Sequence, residues 1–142
     1  MKPIRLDIRS GVHPSEAGGK EESIEQHLDG FFEERNAHWV LKYRESPGTP
    51  DEVLTTVKAG SEEVTVIRQG MVSYRQRYRP NQTTYSRIET PGGVSEMEVH
   101  TLDYRRNHHD KGGSIGFSFQ LTMGGEAMGR YELTIQWTEV SV

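Results

Sequence analysis

The sequence predicts an all-β fold, a meandering antiparallel β-barrel of eight to ten strands. Three observations predict it. Apolar residues recur at period two almost everywhere, which places alternate side chains on opposite faces of strands. Turn residues punctuate these runs at short intervals. No stretch holds three turns of 3.6-residue periodicity. The 142 residues fit one domain, 1–142, under the usual length range.

The elements follow in order. Ile4, Leu6 and Ile8 alternate with Arg5, Asp7 and Arg9. From Ile24 to Phe32 the even positions carry the apolar set; a short helix over Glu21–His27 is the competing reading. Trp39, Leu41 and Tyr43 share a face, as do Val53, Thr55, Val57 and Ala59. Further runs span Val64–Gln69, Met71–Arg79, Thr83–Thr90 and Val94–Leu102. Then come Ser114–Met123, with Ile115, Phe117, Phe119, Leu121 and Met123 on one side, and Ala127–Glu139, with Tyr131, Leu133, Ile135 and Trp137 on one side. Tyr104 to Lys111 reads as an exposed polar loop. Between the runs lie Gly18-Gly19, Arg35-Asn36, Pro47-Gly48, Gly60-Ser61, Pro80-Asn81, Pro91-Gly92-Gly93, Gly112-Gly113 and Gly124-Gly125. Consecutive hairpins favour an up-and-down order, and closure removes exposed edges.

Composition narrows the function. Seventeen Lys and Arg against 21 Asp and Glu give a formal charge of −4, which argues against a general nucleic-acid binder. Mean hydropathy is −0.75, and no apolar run approaches the roughly 20 residues of a spanning helix, so no membrane role is expected. Met1 to Asp7 carries charges where a leader peptide needs an apolar stretch, so the expected location is cytoplasmic. With no cysteine, there are no disulfides, thiolate metal sites or cysteine nucleophiles. No motif asks for a cofactor, and the oligomeric state is left open.

Two constellations resemble catalytic or metal chemistry and fail on context. Gly112-Gly113-Ser114-Ile115-Gly116 fits G-x-S-x-G, but a nucleophile elbow needs a strand–turn–helix setting, and here the motif opens a strand. His108, His109 and Asp110, with His100, have the right donors for zinc, but adjacent side chains on an extended chain point apart. No catalytic or metal-binding residue is assigned, and the chain is expected not to be an enzyme.

Two others point to binding. In Tyr74-Arg75-Gln76-Arg77-Tyr78-Arg79, alternation puts Arg75, Arg77 and Arg79 on one face. Guanidinium groups bind carboxylate and phosphate, so an acidic protein or an RNA is a candidate partner. Charge is uneven: Glu16, Glu21, Glu22, Glu25, Asp29, Glu33 and Glu34 stand against Lys20 alone, whereas Val64–Ile88 holds five arginines and no acid. These segments read as complementary faces of one sheet or as solvated surface. The second constellation is Tyr43 with Glu45, on the face of Trp39 and Leu41. Arg68 shares parity with Val64 and Val66 and is placed to pair with the Glu45 carboxylate, as a structural ion pair or at a barrel mouth.

The order of marks along the chain resembles the small bacterial YwiB-like proteins, a family of uncharacterised function with a calycin (lipocalin-like) β-barrel. The marks are Asp29-Gly30-Phe31, Trp39-Val40-Leu41-Lys42-Tyr43-Arg44-Glu45, Thr55-Thr56-Val57-Lys58 and Val64-Thr65-Val66-Ile67-Arg68-Gln69-Gly70. They continue with Arg77-Tyr78, Thr90-Pro91-Gly92-Gly93, Val99-His100-Thr101, and Gly113-Ser114-Ile115 running into Phe119-Gln120-Leu121. The resemblance implies a barrel with an internal cavity and no assigned reaction; calycins in general hold small, often apolar molecules. Neither the G-x-W signature of secreted lipocalins nor the Arg-x-Tyr pair of fatty-acid carriers is present, since Arg130 and Tyr131 are adjacent. The family's polar positions fall on Tyr43, Glu45, Arg68, Thr90 and Thr101, and with Tyr78 these are the candidate ligand contacts. The leading expectation is non-enzymatic binding of a small molecule inside the barrel.

Overall fold

Ten strands run in sequence, each laddered to its neighbours except at one seam, in a computed structural model that describes residues 1–15 and 18–140. They are β1 Lys2–Pro14, β2 Glu22–Arg35, β3 His38–Glu45, β4 Val53–Ala59, β5 Val64–Gly70, β6 Tyr74–Tyr78, β7 Thr83–Thr90, β8 Gly93–His109, β9 Gly112–Met123 and β10 Glu126–Glu139. The antiparallel sheet has the order β6-β5-β4-β3-β2-β1-β10-β9-β8-β7, an up-and-down meander whose first and last strands are joined in register. The turns are built as their residues require: Asn36 and Ala37, and Gly124 and Gly125, all take positive φ.

The wall is nearly closed between β6 and β7. Ser73 and Glu89 exchange both main-chain bonds at one end of this seam (2.9 and 2.8 Å). Along the seam the connection is made by side chains. Gln76 Nε2 donates to Arg77 O (2.9 Å) and Thr84 Oγ1 (2.7 Å). Ser86 Oγ donates to Gln76 Oε1 and Thr84 Oγ1 to Arg77 O, both at 2.5 Å. Gln76 is fully buried, so its amide replaces ladder bonds that the interior would otherwise leave unmade.

Inward-facing residues form one core from Ile4, Leu6 and Ile8 through Leu41, Val57, Val64 and Val99 to Ile115, Phe117 and Ile135. Each fully buried aliphatic contributes about 1.5–3 kcal/mol. One barrel end is sealed by aromatics. Phe32, Trp39 and Trp137 lie with ring centroids 5.3–6.5 Å apart, and the Arg106 guanidinium sits 4.4 Å from the Trp39 ring. Arg106 Nη1 also donates to Ala37 O and Ala59 O, and the Tyr104 hydroxyl donates to Gly60 O, tying β8 to the turns around β3 and β4.

Two expectations are corrected. The segment from Tyr104 is not a loop: β8 runs to His109 and the turn is Asp110-Lys111. A bulge between Thr101 and Asp103 shifts the alternation, so Met97, Val99 and Thr101 point inward, and then Tyr104, Arg106 and His108. The Glu21–His27 helix is strand β2, because the segment pairs with β1 residue by residue.

Candidate functional site

The sealed end contrasts with the other. Of the partly buried apolar side chains packed on the core, all but Tyr104 lie toward the opposite end: Leu28, Tyr74, Phe119, Met123, Tyr131 and Leu133. That end also carries the polar group. Tyr43 on β3 stands opposite Thr55 on β4, Thr55 opposite Arg68 on β5, and Arg68 opposite Tyr74 on β6. One rank along β3, Glu45 Oε2 accepts from Arg68 Nη2 (2.6 Å) and from Thr55 Oγ1 (3.0 Å). The pair forms because alternation gives Glu45 and Arg68 the same inward parity, as the sequence anticipates. The side chains are 17% and 25% exposed, so the pair sits at the boundary between core and solvent.

Electrostatics follow from that placement. Burial works against the Arg68 charge, but Tyr74 and Glu45 beside it more than offset this, and its pKa is raised. Burial pushes the hydroxyls of Tyr43, Tyr74 and Tyr78 above the usual tyrosine value; for Tyr43 the Glu45 carboxylate adds to the effect, and for Tyr74 Arg68 opposes it. The three tyrosines are neutral hydrogen-bonding groups at neutral pH.

Beside this group the wall itself opens. The β2–β3 ladder ends at Gly30↔Tyr43, although β3 continues to Glu45 and β2 extends back to Glu22. A cleft of about 590 Å³ lies where the strands part, lined by inward-facing Leu28 and Tyr43 and outward-facing Phe31 and Leu54, with Pro47, and rimmed by His27, Asp29, Lys42 and Arg44. Gly30 lies in its wall, where a Cβ would come within 2.5 Å of Lys42 O and 2.7 Å of Leu6 Cδ1.

The other candidates are dispersed. Tyr78 is buried deeper, against Phe117 and Phe119 at 4.7 and 4.8 Å. Thr101 is fully buried opposite Phe119, and its Oγ1 has no hydrogen-bond partner among the described residues. Thr90 does not belong with them. It is exposed at the β7–β8 turn, where its Oγ1 accepts from Gly92 N (3.2 Å), because β7 ends there and the hydroxyl serves the turn. Arg75 and Arg77 share the outer face of β6 and Arg79 follows its last residue, but Arg79 bonds Glu62 and Glu63, and Arg77 lies 3.7 Å from Glu63. The acidic and basic segments do not meet, because three strands separate β2 from β6. Glu25 instead pairs with Arg9 and Glu21 with His13, while Glu16 lies outside the described residues.

The glycines of the G-x-S-x-G segment are packing residues: a Cβ on Gly112 would lie 2.5 Å from Trp137 O and one on Gly116 3.0 Å from the Arg105 guanidinium. A Cβ on Gly113 would lie 2.5 Å from the Trp137 ring, and Ser114 sits in strand β9 rather than at an elbow. Among the described residues no group of three or more His, Asp or Glu side chains is placed to hold a metal. Sequence reasoning missed Thr55, Gln76 and Arg106. The first two had a signal, a polar residue at inward parity between apolar ones.

Residues 9–135 match the family described as a domain of unknown function (DUF1934). The chain belongs to this family. It is 27% identical over 135 residues to the uncharacterized β-barrel protein YwiB of Bacillus subtilis (strain 168), across 95% of this chain and 92% of that protein. The crystal structure of the ywiB protein from Bacillus subtilis superposes with a TM-score of 0.84 at 24% identity, covering 99% of this chain and 93% of that one. The family and the barrel expected from the sequence are therefore both established, and the relative's own function is uncharacterised.

Proposed function

We propose that this DUF1934 barrel is a non-enzymatic, cytoplasmic binding protein that holds a small molecule at its open end. The observation that carries the reading is the Glu45–Arg68 pair, part-buried at inward-facing positions next to half-buried apolar residues and beside the cleft where β2 and β3 part. Small-molecule sites combine a mostly apolar surface with a few placed polar groups, and a barrel of this size can hold one ligand beside a packed interior. Tyr43, Glu45, Arg68 and Tyr74 supply the polar contacts, and Leu28, Phe119, Tyr131 and Leu133 the apolar wall. The analogy with calycins supports the same reading at the level of fold.

Native mass spectrometry of protein purified from its own host, compared with the denatured mass, tests it. The expected result is a discrete extra mass lost on denaturation, and reduced in Arg68→Met. A bare mass in native protein, with no small molecule from host extract retained on re-exposure, overturns it.

A second reading, an acidic protein or RNA meeting the basic strand, draws support from Arg75, which makes no salt bridge among the described residues and lines an open depression with Arg77 and Tyr85. Pull-down from host extract tests it: Arg75→Glu with Arg77→Glu should abolish a salt-sensitive partner, and an unchanged partner set removes the idea.

A further inference from the structure

We propose that the molecule held at the open end is a neutral amphiphile whose head places a hydrogen-bond donor beside an acceptor, as a primary amide does, with an extended apolar body in the β2–β3 cleft. This rests on the binding reading above and names its ligand class.

The head follows from the bonds left over. Both Thr55 and Arg68 donate to Glu45 Oε2, and Oε1 accepts no hydrogen bond among the described residues. A guanidinium has five N–H donors, and the contacts with Glu45 and Tyr74 use at most two. The site thus presents a carboxylate acceptor beside guanidinium donors, with charges that cancel. A carboxylate head would meet Arg68 already neutralised and Glu45 at close range. An ammonium head would meet the converse. A primary amide satisfies both at once, its carbonyl accepting from Arg68 and its NH₂ donating to Glu45 Oε1. A neutral head also loses less on leaving water for a site where the partners are only 17% and 25% exposed.

The body follows from the cleft. It holds about 590 Å³, and Tyr43, which lines it, faces Thr55 across one strand pair. Arg68 lies one strand further, so head site and cleft are about 10 Å apart across the wall at ~4.8 Å per strand. Leu28 faces inward and Phe31 and Leu54 outward, and all three line the cleft, so it follows the gap between two diverging strands, with His27, Asp29, Lys42 and Arg44 along its outer rim. An elongated chain suits that shape better than a compact one.

The experiment titrates the full chain, freed of any carried molecule, with oleamide, oleate and oleylamine, which share one tail. Binding is read by calorimetry below the ligands' aggregation concentrations at pH 7. Oleamide is expected to bind at least tenfold more tightly than either charged analogue. Glu45→Gln leaves Arg68 uncompensated and should reverse the order in favour of oleate. Arg68→Gln should favour oleylamine and serves if Glu45→Gln does not fold. Leu54→Arg should weaken oleamide more than butyramide. Oleate preferred by the unmodified chain, or an order that Glu45→Gln and Arg68→Gln leave unchanged, overturns the head assignment while leaving small-molecule binding intact. Failure of all three ligands overturns the inference, whereas the native mass decides the binding reading separately.

Discussion

Replacing Gln76 with leucine removes the amide that joins β6 to β7 while keeping a side chain of similar bulk in the wall. Three hydrogen bonds go with it: to Arg77 O, to Thr84 Oγ1 and from Ser86 Oγ. At a net 0.5–1.5 kcal/mol each, the loss is about 1.5–4.5 kcal/mol. Thr84 keeps its bond to Arg77 O and the leucine gains apolar contact, which places the expected cost near 2 kcal/mol. Urea unfolding followed by the fluorescence of buried Trp39 and Trp137 measures it. The location of the damage is the sharper test. Ser73 exchanges both main-chain bonds with Glu89, so by alternation the amides of Arg75, Arg77, Tyr85 and Arg87 face the seam. Hydrogen exchange at these amides should quicken in Gln76→Leu, while the β4–β5 ladder, with its continuous register from Val53↔Gly70 to Ala59↔Val64, keeps its protection. A cost below about 0.5 kcal/mol together with unchanged seam exchange would refute the view that this side chain closes the barrel.

Other consequences concern the two ends and the walls. Glu45→Leu alone strands Arg68 in a part-buried position and should cost about 1–3 kcal/mol, discounted from the fully buried case by its 25% exposure. Adding Arg68→Met should restore part of that loss, and a double-mutant cycle in urea reads the coupling. Arg106→Ala removes the contact with Trp39 and two carbonyl bonds, so a cost of about 1–3 kcal/mol and a shift in tryptophan emission are expected on thermal unfolding. Alkali should unfold the chain. Tyr43, Tyr74 and Tyr78 are raised by burial and Tyr104 is raised to about 12, so unfolded tyrosines ionise first. Their stabilisation is complete below about pH 10 and is lost as pH climbs toward the folded values. Absorbance of tyrosinate should therefore rise together with loss of β circular dichroism; ionisation of these four without unfolding would contradict it. Gly30→Ala puts a Cβ 2.5 Å from Lys42 O, a backbone atom, so it should lower the melting temperature and loosen β2 from β3.

The meander was legible because strict alternation and turn residues act locally, and each hairpin inherits its register from them. The Glu45–Arg68 pair was legible for the same reason: parity along two strands decides that both side chains face inward, and a part-buried carboxylate needs a cation. What stayed hidden depends on departures from the period. The bulge after Thr101 moves the inward set from odd to even positions, so Tyr104, Arg106 and His108 looked like a polar loop although they close one barrel end. Thr90 failed differently. Its parity says nothing about where β7 stops, and at a strand end a hydroxyl is taken by the turn. The β2–β3 cleft has no sequence signature at all. It arises because β2 stays paired with β1 as far as Val12↔Glu22 while its ladder with β3 stops at Gly30↔Tyr43, and which neighbour a strand follows is settled by the whole wall. The consequence is a division of labour within one barrel. Residues obeying the alternation build the core, and the places where pairing or parity lapses are the seam, the sealed end and the opening beside Tyr43.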